Sequence, residues 1–323
     1  MKRRGSGWML AATLAGLVWG GSAWAQYPAR SVRLIVPLST GSASDAFARV
    51  VAARLSDAWG QQVVVENIPG ANTITGSTVL QRAAPDGYTL AVVASNHLIN
   101  QSLYAKLPYD TIASFTPVVR LGYTPFVLTT HPSVPAKNLK EFLALAKARP
   151  GQLTYGSPGS GSPTHLSMEM LKTMGGVDII HVPYKAVSQA QTDLIGGQIS
   201  VMLMVPPVAV PQSQAGRIRA LAVSSLKRSS LLPDVPTMDE SGLKGFNGFA
   251  WIGIYGPAKL PAEIVAKVAA DATRVVQSPE VADRIRTLGL EVDVLAMPGF
   301  LPFLQQDRDY WAEIVKRSGA KID

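Results

Sequence analysis

The residues best suited to chemistry lie in two stretches rich in Gly, Ser and Thr. The first is Ser39-Thr40-Gly41-Ser42-Ala43-Ser44-Asp45; the second runs from Gly156-Ser157 through Ser160-Gly161-Ser162 to Thr164-His165. Each follows an apolar run (Val32 to Leu38, Leu153 to Tyr155) and precedes a helix-like pattern. A strand-to-helix turn of this kind gathers backbone N–H groups and hydroxyls at the positive end of a helix dipole, where a carboxylate or phosphate is stabilised. Neither stretch contains Lys or Arg, so an anion held there would rest on neutral donors. Two such turns predict two lobes closing on one small organic anion.

Other chemistries fit less well. No Gly-x-Ser-x-Gly elbow surrounds Ser157, Ser160 or Ser162, no paired carboxylates sit near a His, and cysteine is absent. The Lys and glycine spacing of Walker and dinucleotide loops is missing. His97, His131 and His181 lack metal-ligand spacing. The expectation is a binding protein without catalytic residues, metal or cofactor, with a secreted hydrolase as the weaker alternative. Several residues keep a structural reading beside the functional one. Asp45 suits a helix cap as well as a ligand contact, and His165 suits a helix end as well as a hydrogen bond to ligand. Lys185 could offset ligand charge or sit at the surface, whereas Met202, Met204 and Trp251 fit a core.

The elements needed to position these turns alternate along the chain. Val32 to Leu38 reads as a buried strand, and Phe47, Val50, Val51 and Leu55 form the apolar stripe of a helix. Gln62 to Glu66 and Tyr88 to Ala94 read as strands around a helix over Thr75 to Ala84. Thr116 to Thr130 reads as extended, a first crossing between lobes, and Gly242 to Gly248 as part of the return. Between them, a helix over Leu139 to Ala148, a strand at Leu153, a helix from Thr164, a strand at Asp178 to Tyr184 and a helix near Ser188 repeat the scheme. Strands at Ile199 to Val205 and Ile218 to Ser224 follow. A strand at Phe249 to Tyr255 and helices from Pro261, Pro279 and Pro298 close the chain. This βαβ alternation predicts an α/β fold in which each lobe is a mostly parallel sheet flanked by helices.

Lys2, Arg3 and Arg4, the apolar run from Trp8 to Trp19 and Ala23-Trp24-Ala25 have the organisation of an export signal over residues 1–25, with a mature start at Gln26 and a periplasmic destination. The net charge of +8 comes from scattered basic residues without interleaved aromatics, which argues against nucleic acid. With no cysteine, stability must come from packing rather than disulfides.

The chain resembles the extracytoplasmic solute receptors of the tripartite tricarboxylate transporter family, the Bug receptors. The residues that carry the likeness are Ile35-Val36-Pro37 with its small-residue turn to Asp45, Val64-Val65-Glu66-Asn67 with Pro69-Gly70-Ala71, and Ala84-Pro85-Asp86-Gly87-Tyr88. They continue with Tyr155-Gly156-Ser157 to His165, His181-Val182-Pro183-Tyr184-Lys185, Leu232-Pro233-Asp234-Val235-Pro236-Thr237, Trp251 and Tyr310-Trp311. The resemblance implies a two-lobed periplasmic-binding-protein-like fold with a ligand cleft between lobes. Residues 26–120 and 246–323 would form one lobe and 121–245 the other. It also implies a monomeric receptor that hands a mono-, di-, tricarboxylic or aromatic acid to a permease of one large and one small membrane subunit; a sensor presenting its ligand to a membrane signalling protein is the alternative. The candidate ligand contacts are Ser39, Thr40, Gly41, Ser42, Ser44 and Asp45 in one lobe, and Ser157, Ser160, Gly161, Ser162, His165 and Ser188 in the other. The chain departs from the family pattern at Gly41-Ser42, where paired glycines are usual, and at Asn72-Thr73-Ile74-Thr75-Gly76, where glycines and an Asn are usual. It departs again at Ala186-Val187-Ser188-Gln189, where Gly and then Pro are usual, so extra hydroxyls or a changed ligand class are expected of its pocket.

Overall fold

A computed structural model describes residues 27–320; the export signal expected over 1–25 and the start at Gln26 lie outside the described residues. The first half builds β1 (Val32–Val36), α1 (Ala43–Trp59), β2 (Val63–Asn67), α2 (Ile74–Gln81), β3 (Thr89–Ala94) and α3 (Asn96–Leu103). β4 (Phe115–Pro125) then runs through Phe126 into β5 (Val127–Thr130). The next elements are α4 (Leu139–Ala148), β6 (Thr154–Ser157), α5 (Pro163–Gly175), β7 (Ile180–Pro183), α6 (Val187–Ile195), β8 (Val201–Met204), α7 (Pro206–Gln214) and β9 (Arg219–Val223). The chain returns through β10 (Phe249–Pro257) and ends with α8 (Ala262–Gln277), α9 (Pro279–Thr287), β11 (Glu291–Ala296) and α10 (Phe300–Ser318).

Two sheets result, one in the order β11-β4-β10-β3-β1-β2 and the other β7-β6-β8-β5-β9. The expected parallel pairing holds in β2-β1-β3 and β7-β6-β8. Both sheets are mixed, because the strands that carry the chain across enter from the opposite end. β5 lies antiparallel to β8 and β9, and β10 antiparallel to β3 and β4. With β1 between β2 and β3, four of its five residues are buried, and the turns after β1, β2 and β3 emerge side by side.

α1 shows how sequence sets each helix. Ser42 caps its start, Gly60 at φ 62° closes its end in the left-handed region, and Phe47, Val51 and Leu55 bury one stripe. Each such side chain contributes about 1.5–3 kcal/mol by leaving water. α10 spans the two sheets: Phe300 and Leu304 share a core with Ile35 and Trp251 of the first, Trp311 and Ile314 with Tyr155 of the second and Leu166 of α5. α3 does the same, with Leu98 in the first core and Ile99 and Leu103 in the second. Among the described residues, no helix is long and apolar enough to cross a membrane.

Candidate functional site

The two Gly/Ser turns share one local design. At the first, Gly41 has φ +83° and its N–H donates to Asp45 Oδ2 at 2.9 Å. Ser42 caps α1 by accepting the Asp45 N–H at 3.2 Å, and the Ser42 N–H donates to Ser39 O at 3.2 Å. At the second, Gly161 has φ +78° and its N–H donates to His165 Nδ1 at 3.1 Å. Ser162 caps α5 by accepting the His165 N–H at 3.3 Å, and its own N–H donates to Gly159 O at 3.4 Å. Both turns therefore follow the pattern Gly-Ser-x-x-(Asp or His), with the last side chain folded back on the glycine. Positive φ is nearly free for glycine and costs other residues about 1–2 kcal/mol.

The two differ in charge. Asp45 is buried, and burial opposes its ionisation; the Gly41 N–H and Arg49, whose Nε lies 3.0 Å from Oδ1, outweigh this and hold its carboxyl below the ordinary carboxylate range. His165 Nδ1 accepts a hydrogen bond and so carries no proton. Burial and the neighbouring His181 push the ring down to about 4, which leaves it neutral. His181 lies between His165 and Tyr155, with ring centroids 4.1 Å and 4.7 Å away. Ser157 Oγ donates to Gly159 O at 3.1 Å, so His181 Nε2, at 2.7 Å, donates to Ser157. That polarity suits a held turn rather than an activated serine.

A third group joins the site that sequence reasoning did not single out. After β2, Ala71, Asn72 and Thr73 all have positive φ (43°, 48° and 80°). Asn72 Nδ2 donates to Asn100 Oδ1 at 2.6 Å, and Asn96 Nδ2 donates to Asn72 Oδ1 at 3.0 Å. Asn100 Nδ2 donates to the Asn72 carbonyl at 2.6 Å. These bonds tie the turn after β2 to α3, which follows β3, across the exit of β1. The sequence signal was present in Asn72, a residue type that tolerates the left-handed region, but its partners lie in another segment. The second turn approaches the same helix: a side chain at Gly161 would meet Leu103 Cδ1 at 2.5 Å.

Residues 47–320 match the model of the tripartite tricarboxylate transporter family receptor. The chain belongs to this family. It is 32% identical to protein BugT of Bordetella pertussis over 92% of this chain and 91% of BugT. It is also similar to two solved proteins of Rhodopseudomonas palustris. Rpa4515, determined with adipate, is 31% identical with a TM-score of 0.77, covering 91% of this chain and 98% of that one. MatC, with bound malate, is 31% identical with a TM-score of 0.72, covering 90% and 100%.

Within this receptor, Ser39, Gly41, Ser42 and Asp45 form one bonded group, and Ser157, Gly161, Ser162 and His165 another. Among the described residues, no hydrogen bond joins the two groups. Thr40 and Ser160 are exposed and Ser44 is half-buried in the first turn of α1. Ser188 stands apart, exposed at the start of α6, and its carbonyl accepts from Thr192 Oγ1. Lys185 is exposed, whereas Met202, Met204 and Trp251 are buried. Ser162 Oγ donates to Gly159 O at 2.9 Å, so its proton is already used. Among the described residues, nothing accepts the Ser42 hydroxyl proton.

Proposed function

We propose that the protein is a periplasmic receptor that captures a small organic acid between two lobes and delivers it to a permease with one large and one small membrane subunit. The lobes would comprise residues 26–120 with 246–323 and residues 121–245, and the receptor would work as a monomer after loss of residues 1–25. The observation that carries this reading is the repeated Gly-Ser-x-x-(Asp or His) turn, which opens α1 after β1 and α5 after β6. In open α/β sheets, ligands bind outside the carboxyl ends of the strands, where helix N-termini favour anions. Ser42, and the hydroxyls and N–H groups around it, would hold a carboxylate on the first lobe while the second turn closes over it. The adipate and malate found in Rpa4515 and MatC support the ligand class.

A thermal-shift screen over mono-, di- and tricarboxylates and aromatic acids tests this, because a ligand bound only to the native state raises its stability by mass action. At least one acid should raise the melting temperature in a concentration-dependent way, with calorimetry giving one site per chain. No response across the whole panel would overturn the reading.

A further inference from the structure

The asparagine ladder has a direction that bonding alone decides. A backbone carbonyl only accepts, so the Asn72 carbonyl requires the Asn100 side chain to present its NH2 there. Asn100 Oδ1 then faces the Asn72 NH2, and Asn72 Oδ1 faces the Asn96 NH2. Each carboxamide is thereby oriented without ambiguity between its O and N ends. The ladder starts at Asn100, fully buried, and ends at Asn96, half-buried. Among the described residues, what it leaves without a partner at the open end is Asn96 Oδ1, an acceptor, with one remaining Nδ2–H beside it.

Its place is the carboxyl edge of the first sheet. Asn72 follows β2 and Asn96 follows β3, and β1 with its Ser42 turn lies between those strands. Holding Asn72 in position requires three successive residues with Cβ atoms at positive φ, a conformation that costs free energy and persists where the surroundings over-determine it, often at binding sites. A carboxylate has no donor to offer Asn96 Oδ1, whereas a hydroxyl can donate to it and accept from the adjacent N–H.

We propose that Asn96, oriented by Asn72 and Asn100, is the specificity-determining residue that selects hydroxy-substituted carboxylates over their unsubstituted counterparts. This rests on the carboxylate-receptor reading above. The Ser42 turn holds the acid group and Asn96 reads the hydroxyl. At half-buried Asn96 a hydroxyl makes a hydrogen bond that the unsubstituted acid lacks, so discrimination arises without any change at the carboxylate.

The test is calorimetry with three pairs that differ by one hydroxyl: lactate and propionate, malate and succinate, citrate and tricarballylate. The wild-type protein should bind the hydroxy member of its preferred pair at least about 10-fold more tightly, the ratio expected for one net hydrogen bond. In Asn96→Ala that ratio should fall to within about 2-fold while affinity for the unsubstituted acid stays within about 3-fold; this second reading also shows that the variant is folded and binding. Equal binding of both members by the wild type would overturn the proposal and leave the receptor reading intact. A preference that survives in Asn96→Ala would also overturn it, since another residue would then read the hydroxyl. Failure of every acid in the three pairs and in the wider carboxylate panel would remove the receptor reading itself.

Discussion

His165 stands to the second turn as Asp45 stands to the first: His165 Nδ1 accepts the Gly161 N–H at 3.1 Å, and Asp45 Oδ2 accepts the Gly41 N–H at 2.9 Å. In each case the side chain three residues after the capping serine folds back and occupies the glycine N–H. That N–H is therefore spent on the turn and not offered to a ligand. The equivalence also explains how a carboxylate can sit in a turn proposed to hold an anion: the Gly41 N–H and Arg49 meet its charge locally.

The two capping serines should behave differently on mutation. Among the described residues nothing accepts the Ser42 hydroxyl proton, whereas Ser162 donates to Gly159 O. Ser42→Ala is expected to weaken binding of the identified acid by ~1–3 kcal/mol, roughly 5- to 150-fold. Ser162→Ala should chiefly lower stability, by about 1 kcal/mol as for other lost caps, and Lys185→Ala should change neither. Calorimetry and urea unfolding on the three variants check this. Loss of binding in Lys185→Ala with normal binding in Ser42→Ala would show that an ion pair, not neutral donors, holds the ligand.

Gly161 and Gly41 share a positive φ but differ in surroundings. A side chain at Gly41 meets nothing within 4 Å, whereas one at Gly161 runs into Leu103. Gly41→Ala should cost only the backbone term, about 1–2 kcal/mol. Gly161→Ala should lose a further ~1–3 kcal/mol from overpacking. The double variant Gly161→Ala/Leu103→Ala should recover part of that excess, read as a non-additive cycle in denaturant unfolding. Strict additivity would show that the second turn does not press on α3.

Stability should depend on pH through three buried groups. Burial lowers His97 and His165 to about 4 from 6.5. Between those values the unfolded chain binds more protons, so stability falls as pH drops from about 6.5 towards 4. Asp307 runs the other way. Burial raises it to about 6 from 3.8, although the indoles of Trp251 and Trp311 donate to its two oxygens at 2.7 and 3.1 Å. The stability conferred by its protonated form is present at low pH and lost as pH rises from about 4 to about 6. The two histidines outweigh the one carboxyl, so the wild type should lose stability on acidification from pH 7 to 4.5. His97→Gln should flatten that slope and Asp307→Asn should steepen it. Guanidinium midpoints measured across this pH range decide the matter, and unchanged slopes in both variants would refute the assignment.

Much of the architecture was legible in the sequence because its causes are local. The stripe Phe47, Val51 and Leu55 and the cap at Ser42 need only neighbouring residues to make a helix, and so do the alternating strands around them. α3, α7 and β11 were not legible. In α3 the polar residues Asn96, His97 and Asn100 mask the apolar stripe, and they are buried or half-buried only because other elements cover them. His97, for example, donates from Nε2 to Thr111 O and accepts from Ser77. α7 begins with Pro206-Pro207 and carries Pro211 inside, a pattern that reads as a break. β11 alternates only over Glu291-Val292-Asp293-Val294 before the apolar pair Leu295-Ala296, too short a pattern to mark a strand, and it is half-buried throughout.

The sequence by itself determined which turns could hold an anion, since the residue types and the helices behind them are written consecutively. Only the tertiary structure decided which donors those turns retain. Whether a hydroxyl proton or an N–H is free depends on what folds back against it: Asp45 on Gly41, His165 on Gly161, Gly159 O on Ser162. The placement of β10 between β3 and β4, and of Asn72 against Asn96 and Asn100, likewise joins segments far apart in the chain. Such contacts are chosen by the packing of whole sheets, because a side chain's hydrogen-bond partner is set by distance in space and not by separation in sequence.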